Sequence, residues 1–295
     1  MARAVITGAG TINPLGRDVP TTLEAMREGH SGIGELDIRD VERLGIRIGG
    51  QVRGYDPEDR FNRQELALYD RFTQFALIAA NEAITQSGLD FAGDLARRSG
   101  VVLGTSGGGL TTQDENYRAV FEEGRNRVHP FIVPKLMNNA ATSHVSMKWN
   151  LQGPGFTVAT ACASSNHAMG QAFWLIRSGA AKVMVTGGSE SMLVFGGVKA
   201  WEGLRVMSKA ACRPFCATRD GMVQGEGAGI FILEDRDHAI ARGAEILAEV
   251  AGFAMTSDAG DIVMPSQQGA ARAIAGALED AGLNASDIGY VNAHG

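Results

Sequence analysis

Short, unbroken runs of apolar residues that end in glycine recur along the 295-residue chain. Three such runs are Val5–Gly8, Val101–Gly104 and Val183–Gly187. Unbroken rather than alternating apolar runs are typical of strands buried on both faces, and a glycine at the strand end is typical of a turn into a helix. The pattern therefore predicts an α/β fold in which helices cover both faces of a sheet.

Apolar residues between these runs recur at the spacing of an α-helix. In residues 68–86 one face is predicted to be buried, and it carries Phe72, Phe75, Ala76, Ala79 and Ala83. A second helical pattern covers residues 269–279. Each helix is followed by a Gly-Leu step, a loop and another apolar run. This similarity indicates either an internal duplication or two unrelated copies of a common α/β unit, and the pattern alone does not choose between them.

Cys162 lies between a predicted strand, Phe156–Ala159, and a predicted helix, Ala163–Ile176. Unpaired N–H groups and the helix dipole favour an anion at a helix N-terminus, so a thiol placed there ionises more readily. The same N–H groups can stabilise the oxyanion formed when a thioester is attacked. We therefore predict that Cys162 is a nucleophile that holds an acyl group as a thioester. The alternative is an inert cysteine buried in a turn.

His294 belongs to a predicted strand, Tyr290–Gly295. Ligands bind at the carboxyl ends of strands in open α/β sheets, and a histidine there can donate to an enolate formed when carbon dioxide leaves. His294 is therefore the second candidate catalytic residue. A surface histidine at a frayed terminus is the alternative.

Composition narrows the class of protein. With 44% hydrophobic and 20% charged residues, the chain is typical of a globular protein with a substantial core. A net charge of -6 argues against a general nucleic-acid binder. No apolar run approaches the roughly 20 residues that span a bilayer, and no signal peptide is evident, so a cytoplasmic protein is expected. Cys212 and Cys216 lack a second ligand pair at zinc spacing, so reduced thiols and no metal are expected.

Four motifs together resemble the β-ketoacyl-acyl-carrier-protein synthases of the thiolase-like superfamily. They occur in the family's order along nearly the whole chain: Val5–Gly8, Thr160–Ser165, Cys212–Gly229 with its Arg-Pro-Phe, Arg-Asp-Gly and Gly-Glu-Gly elements, and Asn292–Gly295. The segment 199–215 is most similar to the nodulation protein E subgroup, a branch that makes unusual acyl chains for lipo-chito-oligosaccharide signals.

The resemblance implies a five-layer αβαβα fold built from two similar halves, and a homodimer. It implies that Cys162 accepts an acyl chain from acyl-carrier protein and that His294 assists decarboxylation of malonyl-acyl-carrier protein, without a metal or an organic cofactor. Trp201 is expected to line the acyl pocket, although a purely packing role is the alternative. Carrier proteins are acidic, so docking is expected to use basic residues; the candidates are Arg63, Arg71, Arg125, Arg127, Arg205 and Lys209.

Family chains continue beyond the first histidine with a second histidine and a glycine-rich loop. The expected domains are therefore residues 1–250, the N-terminal ketoacyl synthase half, and residues 251–295, the start of an incomplete C-terminal half. We expect this chain to be inactive in condensation by itself. A smaller departure is Cys216, which stands where the family usually has Asp, and loss of a hydrogen bond in that turn is expected.

Two other functions remain as alternatives. An NAD(P)-dependent oxidoreductase is suggested by the glycines of 8–10, but Asn13 occupies the third glycine position of the dinucleotide fingerprint and Pro14 follows. A non-catalytic ketosynthase-like partner subunit is the other alternative. Cys162 argues against it, because such partners lack the nucleophile.

Overall fold

The computed structural model describes residues 1–294. This part of the chain contains eight strands: β1 Ala4–Ile12, β2 Ile33–Glu35, β3 Ile48–Gly50, β4 Ser99–Gly104, β5 Gly155–Val158, β6 Val183–Glu190, β7 Gly227–Asp235 and β8 Ala248–Val250. It also contains eleven α-helices: α1 Val19–Arg27, α2 Arg63–Leu66, α3 Arg71–Ser87, α4 Gly93–Arg97, α5 Leu110–Tyr117, α6 Ile132–Leu136, α7 Ala140–Lys148, α8 Ser164–Arg177, α9 Phe195–Leu204, α10 Arg236–Ala241 and α11 Gln267–Ala281. None of these helices is long and apolar enough to cross a membrane.

Six strands form one mixed sheet in the order β5-β4-β6-β7-β1-β8. Strand β4 is parallel to β5 and β6, whereas β7 is antiparallel to both β6 and β1. Strand β1 therefore runs in the same direction as β4, β5 and β6. The carboxyl ends of these four strands and the beginning of β7 meet at one edge of the sheet. Strands β2 and β3 form a separate antiparallel pair.

Helix α3 covers one face of the sheet. Its predicted buried residues, from Phe72 to Ala83, are all 0% exposed, which confirms the helical pattern. The helix lies against β1 because that strand carries glycines: a Cβ at Gly8 would lie 2.1 Å from the Ala83 carbonyl oxygen, and one at Gly10 would lie 2.0 Å from that of Ala79. These glycines therefore serve helix packing within a strand. They do not form the strand-to-helix turn that a dinucleotide fingerprint requires.

Helix α8 covers the opposite face of the sheet. Its inward residues Ala168, Ala172 and Ile176 pack in an apolar cluster with Val102 and Met184 of the sheet. The strand, turn and helix predicted around Cys162 are confirmed, since β5 and α8 enclose it with bounds close to those predicted. The sheet thus lies between α3 and α8, as the unbroken apolar runs predicted.

The internal similarity noted in the sequence is present in part. Helices α3 and α11 both end at a glycine in the left-handed conformation, Gly88 with φ 65° and Gly282 with φ 66°. The strand predicted over 290–295 is wrong for the described part, because residues 289–294 are irregular and exposed. A strand needs a neighbour for its backbone hydrogen bonds, and no described strand lies beside this segment. Gly295 lies outside the described residues.

Candidate active site

Cys162 lies in a tight turn between β5 and α8. The preceding residue, Ala161, has φ 51°, a left-handed backbone conformation that is uncommon for residues with a Cβ. Ser164 holds this turn, because its hydroxyl donates to the Ala161 carbonyl at 2.6 Å and accepts from the Thr160 N–H at 2.9 Å. The thiol of Cys162 is exposed. The turn therefore presents the sulfur to incoming molecules immediately before the first residue of α8.

Two glycines bring the start of α8 close to the sheet. A Cβ at Gly104 would lie 2.3 Å from the Ser164 carbonyl carbon, and one at Gly188 would lie 2.7 Å from the Ser165 Cβ. The residue before the helix, Ala163, forms no side-chain capping hydrogen bond. The Ala163 and Ser164 N–H groups donate to the Thr160 and Ala161 carbonyl oxygens, at 3.2 and 3.1 Å, so an oxygen atom near Cys162 would use the N–H groups that follow them in the first turn of α8.

An open cavity of about 650 Å³ lies at the edge where the strand ends meet, and Cys162, Trp201 and His294 all line it. These residues come from the turn before α8, from α9 and from the segment after α11. The fold thus brings together the three site residues predicted from the sequence. The wall also includes residues that the sequence analysis missed, among them Thr11, Asn13, Glu190, Met192, Met222 and Gln224.

Glu190, at the end of β6, fixes the loop that follows β4. Its carboxylate accepts hydrogen bonds from the N–H and hydroxyl of Ser106 at 2.7 and 2.5 Å, and from the Thr105 hydroxyl at 3.1 Å. The Gly107 N–H lies 3.2 Å from the same carboxylate. A charged residue at the end of a buried strand was the available signal, but the sequence did not reveal which loop its side chain holds.

Glu226 forms a buried anchor at the cavity wall. Its side chain is 1% exposed, and Arg71 donates two hydrogen bonds to it, from Nε at 2.8 Å and from the guanidinium terminus at 2.6 Å. The Val52 N–H and the Ser191 hydroxyl also donate to it, at 2.9 and 3.1 Å. Because Arg71 is held by this carboxylate, it is a poor candidate for docking an acidic partner.

The remaining basic candidates for docking lie on the surface. All five are exposed: Arg63, Arg125, Arg127, Arg205 and Lys209. Arg125 forms an ion pair with Glu123 at 2.8 Å. Exposed ion pairs of this kind contribute little free energy and can exchange partners readily.

Trp201 is half-buried on α9. It packs with Met222 against an apolar cluster that includes Leu36 and Met207, beneath the β2–β3 pair. The same side chain lines the cavity of Cys162. Core packing and pocket lining were considered as alternatives for Trp201. In the structure its side chain does both.

His294 is exposed and adopts a left-handed backbone conformation, with φ 69°. Its N–H donates to the Asn292 side-chain oxygen at 3.2 Å, which closes a local turn within this segment. By contrast, His144 lies outside the cavity wall and packs edge-on against Tyr69 with ring centroids 4.6 Å apart. Burial lowers the pKa of His144, so its ring is neutral near pH 7 and its role is structural.

Cys212 and Cys216 are exposed on the loop between α9 and β7. The Cys216 N–H donates to the Arg213 carbonyl at 3.2 Å, so the turn keeps its backbone hydrogen bond although no carboxylate stands at this position. The Cys216 sulfur lies 3.3 Å from the Thr218 hydroxyl. Over residues 1–294, no group of three or more His, Cys, Asp or Glu side chains is arranged to hold a metal ion.

Comparison with known families identifies this arrangement. The model of the β-ketoacyl synthase N-terminal domain matches residues 1–239, and that of the C-terminal domain matches residues 247–295. Nodulation protein E of Rhizobium sp. (strain N33) is 44% identical over 293 residues, which cover 99% of this chain and 73% of that protein. The 3-oxoacyl-[acyl-carrier-protein] synthase 2 of Staphylococcus aureus (strain N315) is 38% identical over 300 residues, covering 99% and 72%.

Solved structures show the same relationship. The crystal structure of a β-ketoacyl synthase from Burkholderia phymatum STM815 superposes with a TM-score of 0.89 at 32% identity, covering 100% of this chain and 74% of that one. The mixed sheet between α3 and α8 is thus the thiolase-like arrangement that the resemblance implied. The chain therefore belongs to the β-ketoacyl synthase family of acyltransferase enzymes, which carry out condensation in fatty-acid or polyketide synthesis.

Proposed function

We propose that this chain carries the acyl-accepting site for a decarboxylative Claisen condensation that uses acyl-carrier-protein substrates in fatty-acid chain elongation. The observation that carries the proposal is the exposed sulfur of Cys162 in a cavity that Trp201 and His294 also line. As parts of the proposal, residues 1–250 form the N-terminal ketoacyl synthase half and residues 251–295 begin the C-terminal half.

In the first step, the Cys162 thiolate attacks the thioester carbonyl of acyl-acyl-carrier protein. The acyl group moves to Cys162 and the carrier leaves as its thiolate, which takes up from solvent the proton that Cys162 gave up on ionising. N–H groups at the start of α8 bind the oxyanion that forms during this transfer. Ser164 contributes by holding the turn in place, since its hydroxyl bridges the backbone on both sides of Ala161.

In the second step, malonyl-acyl-carrier protein loses carbon dioxide and the electron pair of the broken bond forms an enolate. Its carbon attacks the Cys162 thioester, a carbon–carbon bond forms, and the Cys162 thiolate is released. His294 donates a hydrogen bond to the enolate oxygen in this proposal. All bonds in both steps are made by the two substrates and the side chains of the protein, so the proposal includes no metal or organic cofactor.

Trp201 lies on the wall where an acyl chain would extend from Cys162, and its bulk would limit the length of that chain. The carrier protein would dock on the exposed basic residues already described, because carrier domains are acidic. The name of the Staphylococcus aureus relative includes the acyl-carrier protein, which supports this partner.

The proposal also includes a homodimer. Strand β5 is the outermost strand of the six-stranded sheet, so one side of it has no neighbour within residues 1–294. Phe156 on this strand is 40% exposed. An open edge strand is a template for pairing with another chain. If a second copy presented the same edge, the free backbone N–H and C=O groups of both β5 strands would pair with each other.

Incubation of the chain with octanoyl-acyl-carrier protein, followed by peptide mass mapping, tests the function. We expect an octanoyl adduct on Cys162 and none on Cys212, which is exposed outside the cavity and serves as an internal control. A Cys162→Ser variant should abolish the thioester adduct. If Cys162 stays unmodified while the protein is folded, the site is not acyl-accepting and a non-catalytic partner subunit becomes the better interpretation.

The assignment of His294 is tested separately. Because the chain by itself is expected to be inactive in condensation, the assay follows decarboxylation alone. Release of labelled carbon dioxide from malonyl-acyl-carrier protein is compared between the unaltered site and His294→Ala. Loss of a positioned donor is expected to slow release by about a hundredfold or more, while acylation of Cys162 remains within about twofold. Equal and measurable release of carbon dioxide by the unaltered chain and by His294→Ala would remove His294 from the proposal.

A further inference from the structure

The segment of residues 105–109, which we call the glycine loop, contributes to the wall of the Cys162 cavity. Thr105 and Ser106 line the cavity, and three consecutive glycines lead from them into α5. Gly108 adopts a left-handed backbone conformation, with φ 59°. Glycine residues allow a loop many backbone conformations, so this part of the wall needs contacts from other elements to keep one shape.

Both ends of the glycine loop are held by backbone hydrogen bonds. The Thr105 N–H donates to the carbonyl of Val158, the last residue of β5, at 3.1 Å. The Gly109 N–H donates to the carbonyl of Leu136, the last residue of α6, at 3.0 Å. These two bonds join main-chain atoms, so a side-chain substitution in the wall leaves them in place. They do not hold the middle of the loop, residues 106–108.

Glu190 supplies the contacts that hold the middle of the loop. Its carboxylate accepts from the N–H and the hydroxyl of Ser106 at 2.7 and 2.5 Å, and it lies 3.2 Å from the Gly107 N–H. It also accepts from the Thr105 hydroxyl at 3.1 Å, and this hydroxyl in turn accepts from the Gly108 N–H at 3.2 Å. Because Glu190 ends β6, an interior strand of the sheet, the loop is tied to a rigid element.

The loop packs closely against the Met192 side chain, which also lines the cavity. A Cβ at Gly107 would lie 2.9 Å from the Met192 Cγ and 3.3 Å from a Glu190 carboxylate oxygen. The Ser106 hydroxyl oxygen lies 3.7 Å from the Met192 sulfur. The carboxylate thus determines where the loop stands relative to an apolar side chain of the wall.

We propose that Glu190 is a positioning residue for the acyl chain, because it holds the glycine loop and so keeps the wall beside Met192 in the form that receives a chain bound to Cys162. The inference rests on the proposed function, since it concerns the chain that Cys162 accepts. Glu190 acts through Thr105 and Ser106 and takes no part in bond making. A chain that entered beside a loose loop would have to order that loop on binding, which costs conformational entropy and slows acylation.

The test compares two reactions of the same sulfur: acylation of Cys162 by octanoyl-pantetheine and its alkylation by iodoacetamide, each followed by peptide mass mapping. Iodoacetamide is too small to need the wall, so alkylation controls for folding and for exposure of the thiol. In Glu190→Ala we expect acylation to fall about tenfold, while alkylation stays within about twofold of the unaltered rate.

Two further variants sharpen this comparison. Glu190→Gln keeps a side-chain oxygen for the Ser106 donors, so its acylation rate should stay within about threefold of the unaltered rate. Glu35→Ala, a matched change at the exposed end of β2, should alter neither reaction.

Hydrogen exchange provides a readout that does not depend on acylation. In Glu190→Ala the peptide that contains Ser106 and Gly107 should exchange at least about tenfold faster, whereas a peptide from β7 should keep its unaltered rate. If Glu190→Ala does not fold, Ser106→Ala takes its place, since Ser106 is exposed. This change removes one hydrogen bond to the carboxylate, and the ratio of acylation to alkylation should fall about threefold.

The outcomes separate the inference from the proposed function. If acylation and alkylation fall by the same factor in Glu190→Ala, or if neither changes, the positioning role is refuted while the acyl-accepting function stands. The same holds for an unchanged ratio in Ser106→Ala. If octanoyl-pantetheine does not acylate Cys162 in the unaltered folded chain, the proposed function fails and the inference fails with it.

Discussion

Arg71 holds Glu226 through two hydrogen bonds, at 2.6 and 2.8 Å, at the wall of the Cys162 cavity. The Glu226 side chain is 1% exposed and the Arg71 side chain is 25% exposed. Because the pair joins the start of α3 to the segment entering β7, it ties the helical layer to the cavity wall. A charge this well buried depends on its partner.

Removal of the cation should therefore destabilise the protein. Arg71→Met leaves the Glu226 carboxylate buried and unpaired, and we expect the free energy of unfolding to fall by roughly 3 kcal/mol. Urea denaturation followed by circular dichroism measures the change. The matched variant Arg63→Met, at an exposed position, should change it by less than about 0.5 kcal/mol. Equal stability of both variants would contradict the anchoring role.

Ser164 should be important for both stability and acylation. Ser164→Ala removes the two hydrogen bonds that hold the turn around Ala161, and a loss of about 1–2 kcal/mol is expected. Because the sulfur of Cys162 is then less well positioned, its acylation rate should fall at least about tenfold. Ser178→Ala, at the exposed opposite end of α8, serves as the control. Unchanged acylation in Ser164→Ala would argue against a positioning role.

Trp201 should influence the length of the accepted chain. Trp201→Ala enlarges the cavity, so the ratio of Cys162 acylation by hexadecanoyl over octanoyl thioester should rise roughly tenfold as added methylene groups find room. The control is Trp174→Ala, which changes a 37% exposed tryptophan of α8 outside the cavity wall. The measurement is peptide mass mapping over time. A constant ratio would leave Trp201 with a packing role alone.

The two loop thiols should differ in reactivity. A hydrogen bond from Thr218, assisted by the nearby Arg213 and Arg219, lowers the pKa of Cys216 below the ordinary thiol value. A lowered pKa means that the reactive thiolate persists to lower pH, so the pH profile of alkylation by iodoacetamide should shift downward for Cys216. Thr218→Val should move this profile back toward higher pH.

The alkylation experiment is best done in a Cys162→Ser background, with Cys212 as the internal comparison on the same loop. Rates for each thiol are read from peptide masses. If the Cys216 profile is unaffected by Thr218→Val, the hydrogen bond is not the cause of the shift.

The proposed dimer predicts a specific effect at the sheet edge. Phe156→Asp places a charge on β5, and it should convert a dimer into a monomer in analytical ultracentrifugation, because a buried unpaired charge opposes pairing of the two edges. Ile240→Asp, at a 50% exposed position of α10, should leave the dimer intact. A monomeric unaltered chain, or a dimeric Phe156→Asp variant, would contradict pairing through β5.

Local sequence patterns were sufficient to predict several strands and helices of the fold. Unbroken apolar runs predicted β1, β4 and β6, and 3.6-residue periodicity predicted α3 and α11. The run rich in small residues after Cys162 predicted α8. These signals work because each element has to bury an apolar face, whatever its neighbours are. The same local reasoning failed for the strand predicted over 290–295, since a strand also needs a partner, and pairing is not encoded in the strand's own residues.

The four motifs, taken together, were sufficient to predict the family, since they occur in the family's order between Val5 and Gly295. They did not reveal β7, which enters the sheet antiparallel to β6 and brings Met222, Gln224 and Glu226 to the cavity. The glycines that open this strand were noticed only as a motif. The order of strands in a sheet arises from long-range packing, which local composition does not specify.

The sequence by itself thus determined the position of the proposed nucleophile, Cys162, because a cysteine between a strand and a small-residue helix is a local arrangement. Only the tertiary structure decided what surrounds it. The pair formed by Arg71 and Glu226 and the loop held by Glu190 each join segments far apart in the chain. Such contacts depend on the distances that folding creates, and residue spacing alone does not contain them.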